Sequence, residues 1–168
     1  DILRLQFKIL KRVENSHILV KAVENEDLEQ NIFYKLADEE GVDYRRIHFL
    51  EKTKTEMEHR ANLGLADVIL DTYPYNGATT TLESLWMELP IVTKVGKQFT
   101  ARNSYTFMIN AGITEGIAQT NEEYIEWGIK LGTNENLRQE IRWKLHQAKK
   151  TSPLWNGKQL SLIHISEP

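Results

Sequence analysis

The sequence predicts an α/β fold, a Rossmann-like doubly wound parallel sheet, on three observations. Short apolar or β-branched runs alternate with amphipathic, helix-length segments along most of the chain. Turn and cap residues such as Gly41, Gly112, Asn121 and Asn134 fall where one element should end or the next begin. The stretch 66–96, ADVILDTYPYNGATTTLESLWMELPIVTKVG, reads strand, threonine-rich loop, helix, strand.

The elements follow in order. Ile2, Leu5, Ile9 and Val13 share one helical stripe, widened by Phe7 and Leu10, which predicts a helix over residues 1–13. HILVKAV (17–23) predicts a strand. Asp27 can cap a helix that runs to Glu40 and stops at Gly41, and RIHFL (46–50) predicts a second strand. A helix over 55–63, a strand over 67–71, a helix over 80–88 and a strand over 90–94 come next. Residues 101–110 read as a helix ended by Ala111 and Gly112, and GIAQT (116–120) as a short strand. Asn121 caps a helix holding Tyr124, Ile125 and Trp127, and 134–150 is a longer helix with an amphipathic surface that includes Trp143, Lys144, Lys149 and Lys150. Leu82, Leu85, Trp86 and Leu89 form one stripe, which places Trp86 in the core.

Residues 1–150 are thus expected to form one lobe, with 151–159 (TSPLWNGKQ) as a connector. The final residues 160–168, LSLIHISEP, change character abruptly and resemble the translation of a sequencing-library adapter, so they are expected to lie outside the fold. The lack of an initial methionine, with a helical pattern already under way at Asp1, reads as a fragment of a larger protein.

Composition narrows the function classes. No apolar run approaches the roughly 20 residues of a membrane-spanning helix, and a net charge of −3 with no basic block names no nucleic-acid partner. The absence of cysteine removes disulfides, thiolate catalysis and zinc–cysteine sites. It leaves the redox compartment open; the expected location is cytoplasmic. Neither G-x-G-x-x-G nor G-x-x-x-x-G-K-[ST] is present, which argues against a simple dinucleotide dehydrogenase or a P-loop enzyme.

The expected site is the loop 71–79. A helix opening at the carboxyl end of a strand points unpaired backbone N–H groups into the crevice, where phosphate oxygens bind. Thr80 and Glu83 have capping-box spacing, Thr79, Thr80 and Thr81 add hydroxyl donors, and the Glu83 carboxylate can accept from a ribose diol. A capped helix with no ligand is the alternative. Tyr73 and Tyr75 line a sugar pocket or pack in the core; Lys97 and Arg102 assist a diphosphate or are solvated. Asp67 and Asp71 bracket a strand, one at its entrance and one at its exit, and no metal is expected there. His17, His48, His146 and His164 have no partner at ligand spacing.

DTYPYNGATTTLESLWMELPIVTKVG, followed by Thr100-Ala101-Arg102 and later by TSPLWNGKQ, closely resembles the carboxyl-terminal half of the O-linked N-acetylglucosaminyltransferase family, glycosyltransferase family 41, nearest to its bacterial Spindly-like members with tetratricopeptide repeats. The resemblance runs from the first helix to about Gln159 and implies the nucleotide-binding C-terminal lobe of a two-lobed GT-B glycosyltransferase. It places Thr79 and Thr80 at the diphosphate, with Gly77 and Ala78 leading into them, Glu83 at the ribose and His59 against the uracil. Ala78 stands where many members have histidine, Glu83 where some have aspartate, and Glu56 where relatives have a lysine, for which nearby Lys54 is the candidate substitute. Glu88 stands where similar sequences commonly have glycine.

What the resemblance implies about activity is an inverting transfer from a UDP-sugar, UDP-N-acetylglucosamine first among the donors, to Ser or Thr of proteins, without a metal or other cofactor. The lysine that neutralises the β-phosphate, the acceptor lobe and the repeats that bring the protein acceptor lie upstream of residue 1, so no catalytic residue is assigned here and the fragment alone is expected to be inactive. His59 as a surface histidine remains the alternative to the uracil platform. A non-catalytic nucleotide-sugar-binding module and another GT-B enzyme, such as a nucleotide-sugar epimerase, remain alternatives for the whole.

Overall fold

Helix α1 (Ile2–Arg12) lies between two apolar cores in the computed structural model of the chain, which describes residues 2–21 and 26–156. Leu5, Ile9 and Val13 enter the larger core with Leu85, Ile91, Val92, Met108, Leu131 and Leu145, whereas Phe7 and Leu10 enter a second one with Ala37, Val42 and Ile47. Phe7 and Leu10 therefore do not widen a single stripe, as the sequence reading has it. They form a second face, because this helix is covered on two sides.

The five strands pair in parallel. Strands β1 (Ile18–Lys21) and β2 (Ile47–Leu50) form one sheet, with Ile18 opposite Ile47 and Lys21 opposite Leu50. Strands β3 (Ile69–Leu70), β4 (Ile91–Lys94) and β5 (Ile117–Ala118) form the other, in that order. Parallel neighbours need crossovers, which are supplied by α2 (Glu26–Glu40), α4 (Thr79–Trp86) and α5 (Asn103–Asn110), while α3 (Glu56–Leu63) leads from β2 of the first sheet to β3 of the second. Helices α6 (Asn121–Thr133) and α7 (Glu135–Thr151) complete the fold. The alternation predicted from sequence is observed, and each strand is shorter than its apolar run.

Helix boundaries show which local signals won. α2 stops at Gly41, whose φ of +67° is the left-handed conformation expected there, with the Val42 N–H bonding back to the Ala37 carbonyl at 2.8 Å. It begins at Glu26, so Asp27 lies inside the helix rather than at its cap. Asn134 caps α7 as expected by accepting from the Leu137 N–H. At α6 the cap is Thr120, which accepts from the Glu123 N–H, and Asn121 is the first helical residue. The carbonyl end of α1 is closed by Arg46, which donates to the carbonyls of Leu10 (2.6 Å), Val13 (2.8 Å) and Ser16 (2.8 Å).

Helix α6 packs against α1 through two glycines one turn apart. A Cβ at Gly128 would sit 2.3 Å from Ile9 Cδ1, and one at Gly132 would sit 3.0 Å from Val13 Cγ2, so the close approach of the two helices depends on their absence. Helix α6 also packs on β4 and β5, and a side chain from each of the two helices reaches the end of β3: Gln6 donates to the Leu70 carbonyl at 3.2 Å and the Tyr124 hydroxyl to the Asp71 carbonyl at 2.9 Å. The carboxyl end of β3 is thereby held in place.

Trp86 is not core. It is 46% exposed, stacked edge-on against Trp155 with Lys149 over its ring, because α4 ends there and turns its Leu85 face, not its Trp86 face, inward. The final turn closes through the Glu88 N–H to the Leu85 carbonyl (3.0 Å) and the Leu89 N–H to the Ser84 carbonyl (2.9 Å), with Glu88 at φ +63°. The backbone at Glu88 is thus left-handed, a conformation that glycine adopts at least cost. Glu88 is held by Lys149 at 2.6 Å and His146 at 2.8 Å, so Lys149 is engaged rather than simply solvated. Lys144 is likewise paired, with Glu115 and Glu140, whereas Trp143 and Lys150 lie on the open surface expected of that helix.

The segment TSPLWNG continues from α7 through a 3₁₀ turn, Pro153–Trp155. The end of the first predicted strand, the remainder of the connector and the adapter-like residues 160–168, with His164, lie outside the described residues. No helix among the described residues is long and apolar enough to cross a membrane.

Candidate nucleotide site

The loop between β3 and α4 is organised by Asp71. Its carboxylate, buried at the strand's carboxyl end, accepts from the Gly77 N–H (2.9 Å), the Thr72 N–H (2.9 Å) and the Thr93 hydroxyl (2.7 Å). Burial pushes the Asp71 carboxyl above its ordinary value, against the opposing hydrogen bonds from the Gly77 N–H, the Thr93 and Ser104 hydroxyls and the Thr72 N–H. Asn76, fully buried, donates through its side chain to the Thr72 carbonyl at 2.7 Å and through its backbone to the Thr100 carbonyl at 2.9 Å. Gly77 has no room for a side chain: a Cβ would meet Thr81 Oγ1 at 2.6 Å. Asp71 is accordingly a loop organiser, a role its reading as a strand exit does not include.

Helix α4 then starts at Thr79, with Ala78 as its N-cap and no side-chain cap. The expected capping box of Thr80 and Glu83 does not form. Thr80 is already inside the helix, and Glu83 has another partner. The same T-x-x-E spacing does close a capping box one helix earlier, where Thr55 and Glu58 satisfy each other's backbone at the start of α3. The first intrahelical bond of α4 runs from the Leu82 N–H to the Ala78 carbonyl, so the N–H groups of Thr79, Thr80 and Thr81 have no partner within the helix. The Thr79 and Thr80 side chains are exposed at this end; Thr81 is buried and shares a 2.8 Å hydrogen bond with Ser104. An uncapped helix start with two exposed hydroxyls suits an anion.

Glu83, one turn in, meets His59 of α3: His59 Nε2 and Glu83 Oε2 are 3.0 Å apart, both side chains largely shielded from solvent. Lys21, the last residue of β1, completes the group, with Nζ 3.2 Å from His59 Nδ1. His59 is therefore held in a fixed place beside the α4 entrance and is not a free surface histidine. The structure thus joins His59 and Glu83, and places Gly77, Ala78, Thr79 and Thr80 in one continuous entrance. The lysine at His59 is Lys21, not Lys54. Lys54 lies exposed just before α3, its backbone N–H donating to Glu58 at 2.7 Å. Sequence reasoning missed Lys21 because it reads as an interior residue of the strand 17–23; the available signal was a lone cation in an apolar strand, near the sheet edge where ligands sit.

The remaining candidates divide. Arg102 donates to the Gly96 carbonyl at 3.3 Å and lies over the Tyr105 ring, bracing the loop after β4. Lys97 is exposed. Tyr73 packs against Gly96, under the Lys94 ammonium, while Tyr75 is 65% exposed. Asp67 is exposed, its nearest cation Arg142 at 4.0 Å. His17 and His48, read as partnerless, are in fact 2.8 Å apart at the amino-terminal end of β1 and β2, brought together by the parallel register, and His146 pairs with Glu88. No cluster of three or more metal-ligating side chains occurs among the described residues.

A parallel α/β lobe with an uncapped helix start, a held imidazole and a carboxylate at its carboxyl edge is of the Rossmann-like class. The model of Glycosyl transferase family 41 matches residues 1–162, and the chain belongs to that family. Among curated relatives, it is 30% identical over 162 residues to the probable UDP-N-acetylglucosamine–peptide N-acetylglucosaminyltransferase SPINDLY of Oryza sativa subsp. japonica, covering 95% of this chain and 17% of the relative. It is 34% identical over 125 residues to the UDP-N-acetylglucosamine–peptide N-acetylglucosaminyltransferase of Caenorhabditis elegans, covering 74% of this chain and 11% of that one. A mutant O-GlcNAc transferase of Thermobaculum terrenum superposes with a TM-score of 0.87 at 27% identity, over 97% of this chain and 31% of the other. The chain therefore spans less than a third of each of these relatives, and it takes the fold of the matching GT-B lobe.

Proposed function

We propose that this lobe holds the UDP of a UDP-sugar in a protein O-glycosyltransferase, and that the whole protein transfers the sugar, N-acetylglucosamine first among the candidates, to a Ser or Thr hydroxyl with inversion. The observation that carries this is the convergence of three binding chemistries at one sheet edge. The uncapped α4 start with Thr79 and Thr80 suits a diphosphate, the Glu83 carboxylate suits a ribose diol, and the His59 ring offers a flat face to a base. Gly77 and Ala78 keep the entrance free of bulk. The names of the relatives support the donor class.

Breaking the bond to the sugar builds charge on the β-phosphate. The Thr79 and Thr80 hydroxyls and the first-turn N–H groups stabilise that charge as it develops, which is electrostatic stabilisation of a leaving group and requires no proton transfer from this lobe. No metal is part of this scheme. The acceptor protein is recognised by other parts of the enzyme, and the setting is the cytoplasm.

The test is isothermal titration of the chain with UDP, uridine and ADP in buffer containing a chelator. UDP binding that exceeds ADP binding and persists without divalent cation is the expected result. Equal affinity for UDP and ADP would reject the base assignment, and the absence of any binding by the folded chain would reject this lobe as an independent UDP site.

A further inference from the structure

Lys21, His59 and Glu83 come from three different elements, β1, α3 and α4, and form one chain of hydrogen bonds: Lys21 Nζ to His59 Nδ1 at 3.2 Å, and His59 Nε2 to Glu83 Oε2 at 3.0 Å. We infer that Lys21 is a positioning residue of the nucleotide site, which holds the Nδ1 side of His59 and so, together with Glu83, fixes the orientation of the ring and through it steadies the Glu83 carboxylate. This rests on the nucleotide reading of the site given above.

An ammonium carries only donors, so the Lys21 contact makes His59 Nδ1 the acceptor and leaves the ring proton on Nε2. That proton then points at Glu83 Oε2, and an ionised carboxylate can only accept. Each bond specifies the next. Reversing the tautomer would set two donors against each other at Nδ1 and two acceptors against each other at Nε2, losing both bonds together. Glu83 is left with one oxygen engaged and the other available to a diol. The imidazole cannot turn over about its χ2 axis without breaking the same two contacts, so its face is presented in one orientation. A base platform and a diol acceptor are thus set by a residue that need touch neither.

Lys21 acts here through geometry, and a simple attraction of its charge for a diphosphate makes a different prediction. The experiment is nitrogen-15 NMR of the His59 ring in the ligand-free chain, paired with titration by UDP and by uridine, for wild type, Lys21→Met and Lys21→Arg. Wild type is expected to show the Nε2–H tautomer, with the Nδ1 resonance shifted by the bond it accepts. Lys21→Met keeps that tautomer, which Glu83 still demands, but is expected to move Nδ1 to the position of an unbonded imidazole nitrogen and to weaken UDP and uridine alike by about fivefold, the scale of one lost hydrogen bond; Lys21→Arg, which keeps a donor, restores both. An unchanged Nδ1 resonance in Lys21→Met would overturn the inference, as would a loss confined to UDP, which would mark Lys21 as a charge alone. If wild type binds neither ligand while its Nδ1 resonance still depends on Lys21, the nucleotide reading fails and the hydrogen-bond chain stands as a structural link only.

Discussion

The Gly77 N–H donates to the Asp71 carboxylate at 2.9 Å, which ties the end of β3 to the entrance of α4 across the whole turn between them. The Thr72 N–H and the Thr93 hydroxyl share the same carboxylate, so one buried side chain shapes the loop that leads into the helix start.

Asp71→Ala should destabilise the fold by about 1–3 kcal/mol, because it strands those donors away from water, and should weaken UDP binding as the loop loosens. Asp71→Asn should behave differently: its carbonyl can keep the two N–H bonds and its amide can donate to the Thr93 hydroxyl. Because burial raises the carboxyl above its ordinary 3.8, the native chain binds that proton more tightly than the unfolded chain. The stability this contributes is fully present below 3.8 and is lost as pH rises through the raised value. Urea unfolding across that range should show the loss in wild type and not in Asp71→Asn.

At the site itself, Thr80→Ala should weaken UDP by about 1 kcal/mol, the worth of one hydrogen bond. Glu83→Ala should weaken UDP and uridine equally and leave inorganic diphosphate binding unchanged, since the carboxylate serves the ribose. Calorimetry separates the two. Unchanged affinity in a folded Thr80 variant would remove the hydroxyl from the site.

Glu88→Gly should stabilise the protein. Releasing a side chain from φ +63° returns about 1 kcal/mol, and the loss of the pairs to Lys149, partly buried, and His146 offsets part of it. Glu88→Ala loses the pairs and keeps the backbone cost, so it should be less stable than wild type. Thermal unfolding of the two variants should move in opposite directions.

Gly128→Val should cost about 1–3 kcal/mol by overpacking the α1–α6 contact, where a Cβ would already meet Ile9 Cδ1 at 2.3 Å. Pairing it with Ile9→Ala, which opens space opposite, should recover part of the loss. Additive destabilisation in the double variant, measured by chemical unfolding, would show that the two side chains do not compete for the same space.

Much of this was legible in the chain. The alternation of apolar strands with amphipathic helices, the stops at Gly41 and Gly112 and the cap at Asn134 are local signals, and local backbone preferences and periodicity carry them. The threonine loop was legible for the same reason, since a turn followed by a helix after a strand has one place in such a sheet. Trp86 was misread because periodicity gives a face without saying where the helix ends or what covers that face. The Thr80–Glu83 capping box was misread because its spacing is only a possibility until competing partners are known. At Thr55 and Glu58 the same spacing had no competitor.

The sequence by itself determined the order of elements, their parallel class, the Leu5–Ile9–Val13 face of α1 and the family. The tertiary structure decided which charges meet. Lys21, His59 and Glu83 are separated in the chain by 38 and 24 positions, and Asp71 is 22 positions from Thr93. Hydrogen bonds act over about 3 Å, so no local pattern encodes such a meeting; it exists only once parallel pairing and helix packing have brought the strand ends to one edge.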